Sequence, residues 1–188
     1  MNNNLKVDSN SAAAKQLHEN WGWYMALGLA LVVLGGLAAV YSYASTIFSV
    51  MYLGAFAVFV GVVELVRAFK VKLWGSFFLH IFLSVLYLVA GFYLFMNPSM
   101  NALALTLLMA IFFVVAGVLK MVFAFFKDTP HKLWVFVSGL VSLLLGILLW
   151  RQWPVSGTWA IGLFVGIDVM FVGFTWIMLA LAARDLKK

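Results

Sequence analysis

Long apolar runs, broken by short polar or basic clusters, set the pattern of this chain. From Trp21 through Val63 no residue carries a full charge, and from Leu73 through Leu119 only His80 interrupts the same condition. Each run is about twice the ~20 residues that cross a hydrocarbon core as a helix, so each must fold back once. Leu133 through Trp150 and Val155 through Ala183 are single spans, separated by Arg151, Gln152, Trp153 and Pro154. The pattern predicts six transmembrane helices, at about 22 to 43, 46 to 69, 73 to 95, 100 to 126, 132 to 150 and 155 to 183. A transmembrane barrel is excluded, because the runs are continuously apolar and do not alternate with a period of two.

Small residues repeat within the apolar runs. In the odd helices the pairs are Gly28 and Gly35, Ser84 and Gly91, Gly139 and Gly146; in the even helices they are Gly54 and Gly61, Ala110 and Gly117, Gly166 and Gly173. All six pairs have the same spacing of seven. The chain therefore reads as an all-α membrane protein of six transmembrane helices built as three tandem helical hairpins. The first hairpin takes residues 21–72, the second 73–130 and the third 131–184, after a polar tail over 1–20 and before a basic tail over 185–188. Glycines on one stripe could line a substrate path. Helix packing is the better explanation, since lipid gives helices no hydrophobic reason to associate and small residues let backbones approach. A spacing of seven keeps them on one seam with a left-handed crossing.

Short turns close the hairpins at Tyr43 to Ser45, Met96 to Ser99 and Arg151 to Pro154. Pro98 and Pro154 suit the first turn of a following helix, where a missing N–H costs nothing. The first twenty residues lack the apolar core and small-residue cleavage site of a secretory signal, and are expected to be a cytoplasmic tail.

Charge adds an orientation. The basic residues Lys6, Lys15, Arg67, Lys70, Lys72, Lys120, Lys127, Lys132, Arg184, Lys187 and Lys188 fall on the side of the two termini, and of the 12 in the chain only Arg151 falls opposite. The positive-inside rule then makes both termini cytoplasmic. It also accounts for a pI of about 9.7 without nucleic acid as a partner. The expected partners are the lipid bilayer, with anionic headgroups at the basic rim, and a second copy or other membrane proteins through the glycine stripes. At 66% hydrophobic and 10% charged, with a mean hydropathy of +1.10, the chain is far from the ~25% charged content of soluble domains.

Few side chains could carry chemistry. With no cysteine, thiol nucleophiles, disulfides and thiolate metal sites are excluded, and His18, His80 and His131 lack metal-ligand spacing. No Ser-His-Asp arrangement, phosphate-cradling loop or HExxH motif occurs, so neither catalysis nor a cofactor is expected. Glu64 and Arg67 are three apart near the end of helix 2, placed to pair at the interface. Lys120 holds the same repeat position as Glu64, each three residues after its glycine, which suits a snorkelling lysine or a bridge between the two. Asp168 is the deepest acidic residue, expected ~20 Å from either end of its helix. A bare carboxylate there is expensive and must be protonated, paired or hydrated. His80 is its nearest match in depth. Three roles stay open for Asp168: a structural hydrogen bond, a proton-responsive or transport function, and family-specific packing.

Three hairpins of this size, aromatic residues opening the repeats, the Gly-x6-Gly stripes, Asn97-Pro98 in the middle turn and Gly166-Ile167-Asp168 in the last hairpin together resemble the HdeD family of bacterial acid-resistance membrane proteins. The likeness covers roughly residues 20 to 184. It departs at the first turn, where Tyr41-Ser42-Tyr43 stands without a proline. The resemblance implies a stress-response protein of the inner membrane, linked to acid tolerance, with an acidic residue at the position of Asp168. The expected role is a non-catalytic interaction or structural module; the alternative is a small proton-linked transporter or channel using Asp168 and His80.

Overall fold

The computed structural model describes residues 20–71, 73–126 and 132–185. Six helices form: α1 (Trp21–Val40), α2 (Ser42–Ala68), α3 (Trp74–Met96), α4 (Pro98–Phe126), α5 (Lys132–Arg151) and α6 (Ala160–Asp185), with a 3-10 turn at Val155–Thr158 before the last. All six are long and apolar enough to cross a membrane, which makes this a multi-pass membrane protein. With all six crossing, the termini and the α2–α3 and α4–α5 connections share one face, here the terminal face. The other three turns share the turn face. Of the basic positions behind the expected orientation, Lys6, Lys15, Lys72, Lys127, Lys187 and Lys188 lie outside the described residues, as do His18 and His131.

Two compact units divide the chain: Ser42–Gly162, holding α2 to α5, and a second built from α1 and α6 from Leu163 onward. In both, the small residues are the seam. A Cβ built on Gly54 would lie 2.8 Å from the carbonyl oxygen of Gly91, and one on Gly91 would lie 2.7 Å from that of Gly54. One heptad along, Ser84 donates its hydroxyl to the Gly61 carbonyl at 2.8 Å, joining α2 to α3 again. Between α4 and α5, Gly117 faces Gly139, and Gly146 lies against Ala110 and Val114. Between α6 and α1, Gly166 faces Gly35, and Gly173 faces Gly28. Every small residue of an even helix thus meets one of the next odd helix, and α6 closes on α1. Packed pair and sequence hairpin are therefore out of phase: within Ser42–Gly162, α3 touches α4 only sparsely.

The first two turns are tighter than expected. Tyr43 to Ser45 lie inside α2, and only Tyr41 separates it from α1, its N–H donating to the Leu37 carbonyl. At the second turn Pro98 is the first residue of α4, and the Asn101 side-chain amide donates to the carbonyls of Tyr93 and Asn97, which also accept from the backbone N–H groups of Asn97 and Asn101. The third turn is longer, and α6 starts at Ala160, not at 155. Gly157 explains this, because the Leu103 backbone comes to 2.8 Å of where its Cβ would be, while Ser156 donates to the Leu149 carbonyl and Trp153 to that of Leu103. These contacts tie the segment under α4 and delay the helix.

Side-chain size runs inside out. Among the described residues the largest fully buried side chains are Val50, Thr46, Thr106, Ser84 and Ser156, whereas phenylalanines and tryptophans face outward. Without a hydrophobic drive inside lipid, close backbone approach and hydrogen bonds replace a large apolar core. Exposed Trp21, Trp74 and Trp134 sit where the odd helices begin, and exposed Tyr41, Tyr43, Trp150 and Trp153 by the turns that follow them, positions that suit interfacial aromatic anchors.

Candidate functional site

Glu64, Arg67 and His80 come together at the α2–α3 seam. Glu64, near the C-terminus of α2, is held between a guanidinium and an imidazole: its Oε1 accepts from Arg67 Nη1 at 3.0 Å and its Oε2 lies 2.7 Å from His80 Nδ1 of α3. The two contacts differ in setting. The Arg67 side chain is 62% exposed, that of His80 27% and that of Glu64 14%, so the guanidinium reaches toward the interface while the carboxylate and imidazole lie in the seam. Packing explains the meeting. With Gly61 and Ser84 opposed across the α2–α3 pair, the residue three beyond Gly61 and the one four before Ser84 come level. That register was the available signal for the Glu64–His80 contact, and it requires knowing that α2 packs on α3.

The same level of the other two helix pairs holds different chemistry. Lys120, three beyond Gly117, places its Nζ 3.3 Å from both Ser138 Oγ and Ser142 Oγ of α5. The bridge to Glu64 that its repeat position allowed is not made; the serines of the adjoining helix take the ammonium. Trp176, three beyond Gly173, stacks on Tyr24 of α1 with ring centroids 5.6 Å apart. An acid–imidazole pair, an ammonium on hydroxyls and an aromatic stack thus fill one repeated position. Of the three, only the first sets a carboxyl against an imidazole.

Asp168 belongs to the other unit. Because α6 begins at Ala160, Asp168 lies about 12 Å from the start of its helix and about 24 Å short of Arg184, not midway. It is exposed, with no hydrogen bond or ion pair to any described residue. His80, its expected depth partner, has Glu64 instead.

Two hydroxyls were not singled out from the sequence. Thr46, fully buried in α2, donates to the Ser42 carbonyl and accepts from the Gly162 N–H at 2.9 Å, capping the first turn of α6 from another helix. Thr106 is equally buried, yet its Oγ1 has no partner among the described residues. An open apolar groove of about 570 Å³ runs along α3, lined by Val58, Leu88, Phe92 and Met96 among others. It has the character of an acyl-chain contact and contains no charged group.

No curated protein and no solved structure matches the chain significantly. The model of a family described as a short repeat of unknown function (DUF308) matches twice, over residues 26–96 and 82–151. The second match starts one glycine repeat after the first, as Ser84 follows Gly28. Together the matches span 26–151, well over half of the 188 residues. With its repeated glycine seams and six membrane-spanning helices, the chain belongs to the DUF308 repeat family.

Proposed function

We propose that this protein acts in acid or envelope stress resistance in the bacterial inner membrane, as an interaction or structural module without catalysis of its own. Its main support is the Glu64–His80 contact, an acid–imidazole pair at 2.7 Å that joins two helices within the spans. The resemblance to the acid-resistance HdeD family points the same way. Both termini are cytoplasmic in this reading, so that Arg67, Lys70, Lys132 and Arg184 lie on the inner side with the anionic headgroups. Acidification of the cytoplasm then reaches the Glu64–His80 pair from the nearer face.

Proton-linked transport is the rival. It gains from the same pair, because Glu64 gives His80 an acid–base neighbour. Liposomes holding the purified protein and a trapped pH dye separate the two. The module passes no more protons than empty liposomes, while a strain lacking the gene loses acid survival and regains it from the wild-type chain but not from His80→Leu. Flux above the empty control that disappears in Asp168→Asn would establish transport instead.

A further inference from the structure

Asp168 is exposed at a depth where the surroundings are hydrocarbon, and a carboxyl cannot stay there uncovered without a large cost. Its side chain is too short to reach the interface from about 12 Å inside the helix start. The repeat shows how unusual this is. Two residues past the first small residue of each even helix stand Phe56 in α2, Phe112 in α4 and Asp168 in α6. The two phenylalanines are 54% and 68% exposed, as lipid-facing side chains should be. Asp168 occupies the same outward register with a side chain that lipid does not suit.

A second polar residue follows on the same stripe. Thr175 stands one heptad after Asp168, also exposed, with Phe171 between them. Seven-residue spacing keeps the two on one face of a helix, suited to a left-handed crossing with another helix. This face is opposite the Gly166 and Gly173 stripe that α6 spends on α1. The chain thus leaves a second heptad seam on α6 unoccupied.

We propose that this face docks a second copy of the chain, α6 against α6 about a two-fold axis normal to the membrane, with the two Asp168 carboxyls sharing one proton. Self-complementarity selects the occupant. A two-fold of this kind sets each residue at the depth of its own copy, so Asp168 meets Asp168 and Thr175 meets Thr175. A carboxylic acid donates its O–H to a carboxylate, and a hydroxyl both donates and accepts. Thr175 already donates its hydroxyl to the Phe171 carbonyl of its own helix and stays free to accept, so Asp168 is the residue that needs a partner, and its own copy supplies one. Two ionised carboxylates at one depth repel, so assembly needs at least one proton and weakens as pH rises. Among the described residues of this unit no other charge lies near Asp168: α1, packed on the inner face of α6, has no charged residue over Trp21–Val40, its titratable Tyr24 is stacked on Trp176, and the nearest described charge on α6 is Arg184.

The inference rests on the module reading above and names its partner; proton flux would sink that reading without touching the test below. Since the chain has no cysteine, single substitutions report the interface in liposomes of the full-length protein. At one pH, oxidation should cross-link the Thr175→Cys protein to a dimer at least tenfold faster than the Phe112→Cys or Phe56→Cys protein. Energy transfer between chains carrying pH-insensitive dyes on a cysteine added after Lys188 should be strong at pH 5 and fall several-fold at pH 8. Asp168→Asn, whose amides pair with each other, should hold the transfer at both values, and Asp168→Leu should lose it at both. Equal cross-linking at the three positions overturns the proposal. So does transfer indifferent to pH and to Asp168→Leu, no transfer at all, or cross-linking of the Thr175→Cys protein in native membranes to a different protein only.

Discussion

Gly35→Ala should destabilise the protein in detergent by about 1–3 kcal/mol, the usual cost of inserting a methyl into a filled seam, whereas Gly36→Ala, one position along, should be neutral or gain up to ~1 kcal/mol from helix propensity. The two glycines share a helix and a sequence context, and differ in what lies beyond them. A Cβ on Gly35 would come within 2.6 Å of the Gly166 carbonyl oxygen and 2.7 Å of the Met170 nitrogen, backbone atoms that cannot rotate away. One on Gly36 would meet nothing within 4 Å. Thermal unfolding of the two variants gives the difference directly. Gly162→Ala should cost more than either, since its Cβ would fall onto the carbonyl oxygen of Ser42. Gly22 and Gly75 should behave like Gly36. Equal tolerance at Gly35 and Gly36 would remove packing as the reason for the stripes.

The sequence carried these stripes in full, because a seven-residue period of small residues in apolar helices has few causes other than close packing. It did not carry the choice of neighbour. Hairpins joined by turns of one to a few residues favour pairing along the chain, yet the glycine of α2 faces α3, that of α4 faces α5 and that of α6 faces α1. Six stripes of like spacing fit more than one set of partners, and the chain order does not say which. The charged residues follow the same division. Glu64 and Arg67 are legible as a pair because they are three apart on one helix, whereas His80 reaches Glu64 only through the α2–α3 register. Its expected matching to Asp168 relied on depth alone, and depth shifted once the 3-10 turn at Val155–Thr158 had delayed α6.

One substitution made at two threonines should give opposite signs. Thr46→Val removes the oxygen that accepts from the buried Gly162 N–H at 2.9 Å, so it costs what an N-cap loss or an unsatisfied buried donor costs, about 1–3 kcal/mol. Thr106→Val removes an equally buried hydroxyl that has no partner among the described residues. The methyl that replaces it keeps the volume and has no hydration to lose, so stability should stay level or rise. Denaturation midpoints of the two variants test this. A loss at Thr106 as large as that at Thr46 would mean that an unseen water or partner satisfies Thr106. Neither position shows itself in the sequence, because a threonine in an apolar helix normally bonds to its own preceding turn.

The closure of α6 onto α1 is the contact that makes three helix pairs out of six spans, and it joins residues from opposite ends of the chain. Tyr24 and Trp176 stack at 5.6 Å and Arg184 lies 5.6 Å over the Trp21 ring, at the end of the seam where Gly28 faces Gly173. In the cysteine-free chain, a Tyr24→Cys, Trp176→Cys double variant tests this most directly. Oxidation, or a short bis-maleimide, applied to the membrane-embedded protein should give a link within one chain, seen as a faster-migrating monomer after denaturation, independent of protein dilution in lipid. A link only between chains, or none under conditions that join a Glu64→Cys, His80→Cys pair across α2 and α3, would contradict the helix pairing on which the account is built.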